Sequence, residues 1–290
     1  MASVQYHHPN RNRSKVDPVR TLSYLAMAVV VVLIMVPVFW MLSGSLKTNQ
    51  EILTFPPQWL PRNPQWHNYS DAWNAAPFCR FYLNTIITTA AGTTLELTNA
   101  ALTAYALAFL RFPAKNLVFI LLLAALMIPE QVTIIPNYLT ISDILGQNWI
   151  NTYQGIVLPG ASVAVGTFLF RQAFMSLPRE VIDAARVDGA NHLQLLWQIV
   201  LPMAKPVLVT FELISLVAKW NDYLWPLIVT NQDRMRTLSV GISYLYNPES
   251  TVRWGPLMAG TFFVIAPLIV IYLWAQKHII EGITSGATKS

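Results

Sequence analysis

Between Arg20 and Lys47 the chain carries no charged side chain. That run constrains the fold more than any other feature. About 20 mostly apolar residues let a helix cross the hydrocarbon layer, and a helix satisfies its own backbone hydrogen bonds there. Five further stretches meet the same criterion. The expected spans are 20–43, 81–110, 117–139, 154–175, 203–230 and 256–277. The first is too long for the apolar core of a cleaved signal and lacks a clear small-residue cleavage site, so it is read as a span. Of 290 residues, 54% are hydrophobic and only 11% are charged, against ~25% charged in soluble domains. Mean hydropathy is +0.43. The expected fold is an all-α polytopic membrane protein. Residues 1–19 form a tail and 20–290 a transmembrane domain.

The cations give an orientation. Arg11, Arg13, Lys15 and Arg20 precede the first span, and Arg111 and Lys115 fill the turn between the second and third. Arg171, Arg179, Arg186 and Lys205 surround the loop between the fourth and fifth, and Lys277 and Lys289 follow the sixth. The opposite side holds only Lys47, Arg62, Arg80, Arg234, Arg236 and Arg253, while Lys219 lies inside the fifth span. Positive charge concentrates on the cytoplasmic side, so both termini and the 176–202 loop are expected there.

Pro37, Pro129, Pro136, Pro159, Pro226 and Pro267 fall inside the expected spans. A proline in a helix frees a carbonyl that needs a partner in lipid. Helices packed around a solvated path tolerate this; kinks that serve packing alone are the alternative. The outer segment 47–80 is rich in Pro, Trp, Asn and Tyr. Its aromatics suit an interfacial belt and its prolines forbid long helices. The second outer segment, 231–255, contains a turn signal in Asn-Pro-Glu-Ser at 247–250.

The loop 176–202 is longer than a simple chain reversal requires. Pro178 suits a first helical turn, and Glu180 places negative charge near the helix N-terminus. The helix is expected to run to about Asp188. Gly189 then fits a left-handed position. Asn191 with Gln194 forms a capping-box pattern for a second helix. Leu193, Leu196, Trp197 and Val200 have the spacing of one apolar stripe. Asp183, Ala184 and Ala185 form a small face on the first helix, and Asp183 and Asp188 offer carboxylates. From the residues alone, a solvated amphipathic hairpin and a docking element are both open readings.

Several chemistries are absent from the sequence. The single Cys79 excludes an internal disulfide and a cysteine-cluster metal site. His7, His8, His67, His192 and His278 lack metal-ligand spacing, so no metal site is expected. Gly44-Ser-Leu-Lys-Thr48 has Leu46 before the lysine, where a nucleotide-binding loop needs glycine. The basic residues follow membrane topology rather than a nucleic-acid stripe. The chain is expected to be non-catalytic.

Polar groups inside spans are expensive and mark candidate solute contacts. These are Glu96 and Asn99 in span two, Glu130 and Gln131 after Pro129 in span three, and Asn221 and Asp222 in span five. Asn84 lies nearer the outer end. Trp220, Tyr223 and Trp225 could stack on sugar faces beside Asn221 and Asp222. The competing reading for each polar group is a bond to a neighbouring helix or to a partner subunit.

The stretch "DAARVDGANHLQLLWQIVLP" resembles the cytoplasmic signature of ABC-importer permeases, E-A-A-x-x-x-G followed by I-x-L-P. Here those positions are Asp183, Ala184, Ala185, Gly189, Ile199, Leu201 and Pro202. "FWMLSGSLK" (39–47), "MIPEQVTIIPNYL" (127–139), "NTYQGIVLP" (151–159), "WNDYLWPLIV" (220–229), "PLMAG" (256–260) and the C-terminal "GITSGATK" are similar to the carbohydrate-uptake branch of that family, in particular its maltose-type second permease subunit. Asp183 stands where the family has glutamate, which shortens the carboxylate's reach by one methylene.

The resemblance implies a type-1 transmembrane domain of six helices in a bacterial or archaeal inner membrane, paired with a second, similar permease. The 176–202 hairpin would be a coupling helix seated on one of two cytoplasmic ATPase subunits, through Asp183, Ala184, Ala185, Asp188, Gly189, Ala190, Leu193 and Trp197. ATP and Mg would be bound by those partners, not by this chain. An external solute-binding protein would deliver a sugar or sugar-like solute. A permease for glycerol 3-phosphate or glycerophosphodiesters is the alternative within the branch. A stand-alone secondary transporter is the alternative of another class, although no pseudo-symmetric halves are evident.

Overall fold

A computed structural model of the chain describes residues 18–161, 164–246 and 252–287, with side chains to residue 276. The N-terminal cations up to Lys15, the 247–250 turn, the Lys277 side chain and Lys289 lie outside the described residues.

The described residues are helical and contain no strand. From the N-terminus, α1 is Pro18–Ser45, α2 Asn49–Leu53, α3 His67–Asn74, α4 Phe78–Phe109, α5 Lys115–Ala125 and α6 Glu130–Ser142. They are followed by α7 Tyr153–Val157, α8 Ala164–Met175, α9 Arg179–Val187 and α10 His192–Gln194. A π-helical turn, Leu195–Val200, leads into α11 Leu201–Met203 and α12 Lys205–Trp220. The rest are α13 Leu224–Val229, α14 Leu238–Gly241 and α15 Trp254–Ala287.

Two segments, Val19–Ser45 and Trp254–Gln276, are long and apolar enough to cross a membrane as single helices. Three bent pairs also pass when their halves are joined. α5 and α6 meet at 100° and the 192–203 stretch meets α12 at 84°. The first break has a clear cause: Pro129 lacks an N–H and its extended backbone ends the preceding helix. The 117–139 stretch is therefore two helices rather than one. Likewise 203–230 is interrupted at Asn221–Tyr223 between α12 and α13. Pro37 and Pro267 sit inside continuous helices.

α4 organises the bundle by packing against α8, α12 and α14. Its apolar Leu83, Ile86, Leu95 and Leu102 point outward, while Asn84, Thr85, Thr88, Thr89, Thr93 and Glu96 are buried. This inverted pattern fits a helix whose outer side faces lipid and whose polar groups face its neighbours. Gly92, Ala100, Ala101 and Ala104 keep one face thin, which allows close helix approach.

At the hairpin, Gly189 adopts φ +85°. Its N–H donates to Arg186 O (3.1 Å), and Ala190 N–H donates to Ala185 O (3.0 Å). Those two bonds form the Schellman closure that glycine favours. Asn191 Oδ1 accepts from Gln194 N–H, and Asn191 N–H donates to Gln194 Oε1, both at 2.9 Å. The expected apolar stripe is split: Leu195, Leu196 and Val200 are buried, but Leu193 and Trp197 are 62% and 53% exposed. The π turn shifts the helical period from 3.6 residues, so Leu196 and Trp197 no longer share a face with the same neighbours. Ala185 is also turned into the core, beside Ile182, while Asp183 and Ala184 stay exposed.

Candidate functional site

A cavity of about 890 Å³ opens beside α4, between α6, α8 and α12. Glu96 lies in its wall and is only 4% exposed. Two residues one turn apart on α12 converge on it. Ser215 Oγ donates to Glu96 Oε2 at 2.6 Å, and Lys219 Nζ stands 3.0 Å from the same oxygen. Lys219 also donates to Gly160 O at 3.0 Å. A carboxylate at this depth needs compensation, and here one ammonium and one hydroxyl supply it. The lysine reaches Glu96 by lying across Gly92, one turn away on α4. A Cβ at Gly92 would come within 2.8 Å of Lys219 Cδ.

The sequence candidates divide. Glu96, Glu130, Gln131 and Asp222 line the one cavity. Glu130 and Gln131 are exposed, at the start of α6 after the Pro129 break, and Asp222 accepts from the Trp225 backbone N–H. Asn99 and Asn221 do not line it. Asn99 is exposed and accepts from Thr103 Oγ1 (3.2 Å), and Asn221 donates to Val217 O (2.8 Å) within its own helix. Asn84 serves the 231–236 segment instead: it donates to Arg234 O and Arg236 O and accepts from Tyr153 OH.

Of the three aromatics, Trp225 lines the cavity, with Nε1 donating to Gly155 O and Ile156 O. Trp220 is buried on Val264 O, and Tyr223 is exposed.

Sequence reasoning missed Ser215, Gly92, Gly160 and Thr237. Thr237 lines the cavity and its buried hydroxyl has no hydrogen-bond partner. A signal existed for two of them. Gly92 with Glu96, and Ser215 with Lys219, are each spaced i, i+4, which places a gap beside the carboxylate on one helix and aligns a polar pair on the other.

The hairpin forms a second surface. Val187 (88% exposed), Leu193 and Trp197 project from it. Asp183 pairs at 3.3 Å with Arg186 on its own helix, so that carboxylate is partly engaged. His192 Nδ1 and Tyr105 OH are 2.9 Å apart, linking the second hairpin helix to α4. Near the same end, Lys115 donates to Ala108 O and Leu110 O, and Arg171 Nε to Leu107 O. These cations meet the negative end of α4.

Residues 100–285 match the family described as "Binding-protein-dependent transport system inner membrane component". The chain is 33% identical over 267 residues to the sn-glycerol-3-phosphate transport system permease protein UgpE of Yersinia pestis, covering 90% of this chain and 94% of that one. It is 33% identical over 257 residues to the arabinooligosaccharides transport system permease protein AraQ of Bacillus subtilis, covering 87% and 90%. In structure it is similar to a chain of a bacterial ABC transporter involved in the import of the acidic polysaccharide alginate, with a TM-score of 0.76, 24% identity and coverage of 89% and 95%. A chain of the alginate transporter in complex with an alginate pentasaccharide-bound periplasmic protein gives a TM-score of 0.62 at 14% identity, covering 88% and 93%. A membrane bundle without a nucleotide motif, a polar cavity between its helices, and a family match over most of its length lead to one assignment: this chain belongs to the family of inner membrane components of binding-protein-dependent transport systems.

Proposed function

We propose that this permease subunit forms half of the path for a sugar or sugar-like solute and takes its motion from cytoplasmic ATPase subunits through the 176–202 hairpin. In this reading the chain spans the membrane six times. The spans are α1, α4, the α5–α6 pair, the α7–α8 pair, α12 with α13, and α15. α4 is less apolar than α1 and α15 because it carries the cavity's polar wall. At 1.5 Å per residue its 32 residues still reach across the bilayer. Both termini and the hairpin face the cytoplasm. A second permease completes the cavity, an external binding protein delivers the solute, and ATP and Mg belong to the ATPases.

The observation that carries this reading is the hairpin itself. It is closed at both helix ends and tied to α4 by Tyr105–His192, yet it presents Val187, Leu193 and Trp197 to solvent. Apolar groups on a rigid support suit a partner's groove. Asp183, Ala184, Asp188, Gly189 and Ala190 frame that surface, and Ala185 supports it from the core. On the solute side, Glu96, Glu130, Gln131 and Asp222 line the cavity, and Asn99 and Asn221 would contribute only after rearrangement.

The test is co-purification. Leu193→Ser with Trp197→Ser should release the ATPase from the solubilised importer while the second permease stays bound, and uptake should fall at least about tenfold. Retention of the ATPase with normal uptake would overturn the reading. A permease for glycerol 3-phosphate is the second reading, favoured by the identity to that relative. A stand-alone transporter would purify with no ATPase at all.

A further inference from the structure

The charges that line the cavity are unequal. Among the described lining residues there are three carboxyl groups, on Glu96, Glu130 and Asp222, and one cation, Lys219. That cation is already engaged: its ammonium lies 3.0 Å from Glu96 Oε2 and 3.0 Å from Gly160 O. At such a distance the pair acts on anything several ångströms away as a dipole rather than a charge, which leaves Glu130 and Asp222 to set the field. Arg236, next to the lining residue Thr237, donates Nη1 to Leu227 O and does not itself line the cavity. Thr237 adds a buried hydroxyl without a partner in this wall. Such a wall offers hydrogen bonds but no free positive charge.

We infer that Glu96 is a selectivity residue: by neutralising Lys219 it keeps this wall of the path closed to anions such as phosphate esters and uronates and open to uncharged polyhydroxylated solutes. The inference rests on the reading of the cavity as part of the solute path. Glu96 need not touch the solute. It acts by removing the one cation that an anionic solute would seek. Release of Lys219 would convert the wall toward anion acceptance.

The test needs no knowledge of the solute. In the complete importer, with Cys79→Ser to silence the background thiol, Ile214→Cys places a reporter on a cavity-lining position of α12. Its reaction is timed with three methanethiosulfonates: cationic trimethylammonioethyl and anionic sulfonatoethyl, which are of similar size, and the smaller neutral methyl. Each rate is normalised to that of a free thiol in solution. The cationic reagent should exceed the anionic by roughly tenfold or more. Glu96→Gln should narrow that ratio by about fivefold, as expected for one unit charge in a largely aqueous cavity. Glu130→Gln, at an exposed position outside the packed core, should narrow it in the same direction. Equal normalised rates, or a faster anionic reagent, would overturn the inference while leaving the path reading intact. If none of the three reagents reaches the thiol, the cavity is not a water-filled path and the underlying reading fails instead.

Discussion

Lys219 Nζ stands 3.0 Å from Glu96 Oε2, joining α12 to α4 across the bare backbone of Gly92. The two side chains are 20% and 5% exposed, so the pair is mostly, not wholly, dry. Removing one partner of a buried pair costs more than the pair is worth, because a charge is left behind. Lys219→Met should therefore destabilise the solubilised importer by about 2–3 kcal/mol, below the full value for a sealed pair. Lys219→Met with Glu96→Gln should recover most of that loss. Thermal unfolding of the three proteins decides it. A double variant no more stable than the single would mean that the ion pair is not what holds α4 to α12.

Gly189 has open space around it, so a side chain there meets only backbone strain. At φ +85° a non-glycine residue costs about 1–2 kcal/mol. Gly189→Val should loosen the hairpin by at least that much, and Gly189→Asn by less, because asparagine tolerates the left-handed region. Asn191→Ala removes the bond that the Asn191 side chain accepts from Gln194 N–H and should cost about 1 kcal/mol. Hydrogen exchange at amides 189–195 measures this directly. It should quicken in the order Asn191→Ala and Gly189→Val above Gly189→Asn. Unchanged exchange would show that the caps do not stiffen the hairpin.

The caps could be read from the sequence because each depends on residues within a few positions of one another. Gly189 needed only its own conformational freedom, and Asn191 only Gln194. The long uncharged runs were legible for the same reason. The apolar stripe through Leu193, Leu196, Trp197 and Val200 was not, because a π turn at 195–200 changes the period, and nothing local announces such a turn. The cavity was legible in half. Glu96, Glu130 and Asp222 stood out as polar groups in apolar stretches. That they share a wall depends on the bend at Pro129 and on how α12 lies against α4. Asn99 had the same local signature as Glu96, one helical turn away, yet lies off the cavity.

Lys47, just past the C-terminal end of α1, is 1% exposed. Its ammonium donates to Gln58 O and lies 4.4 Å from the Trp40 ring centroid, and no carboxylate lies within ion-pair distance among the described residues. Burial pushes its pKa below the ordinary 10.5, opposed in part by the charge of Glu51. The folded chain then sheds this proton before the unfolded chain does. Between the two pKa values the unfolded state binds more protons, so stability rises with pH there. Relative to Lys47→Met, the wild-type importer should gain thermal stability as pH climbs toward 10.5, and the difference should be flat at neutral pH, where both states keep the proton. A wild-type importer that loses stability relative to Lys47→Met as pH rises would contradict the burial argument.

Phe211 is the point where the cavity wall and the packed core meet. It is buried, sits edge-on to Phe170 at 5.2 Å between centroids, and also lines the cavity. Its ring fits because α8 has no side chain at Gly166: a Cβ there would lie 2.4 Å from Phe211 Cζ. Phe211→Ala should cost about 3–5 kcal/mol through lost burial and the void left behind. Gly166→Ala should also destabilise, by about 1–3 kcal/mol, because the new methyl forces the Phe211 ring off its contact with Phe170 and presses on Ala100. Residues in contact do not add independently. Gly166→Ala combined with Phe211→Leu should lose less than the sum of the two single losses, since the smaller side chain relieves the clash that the new methyl creates. Strict additivity in that cycle would show that Gly166 and Phe211 are not packed against one another in the assembled importer.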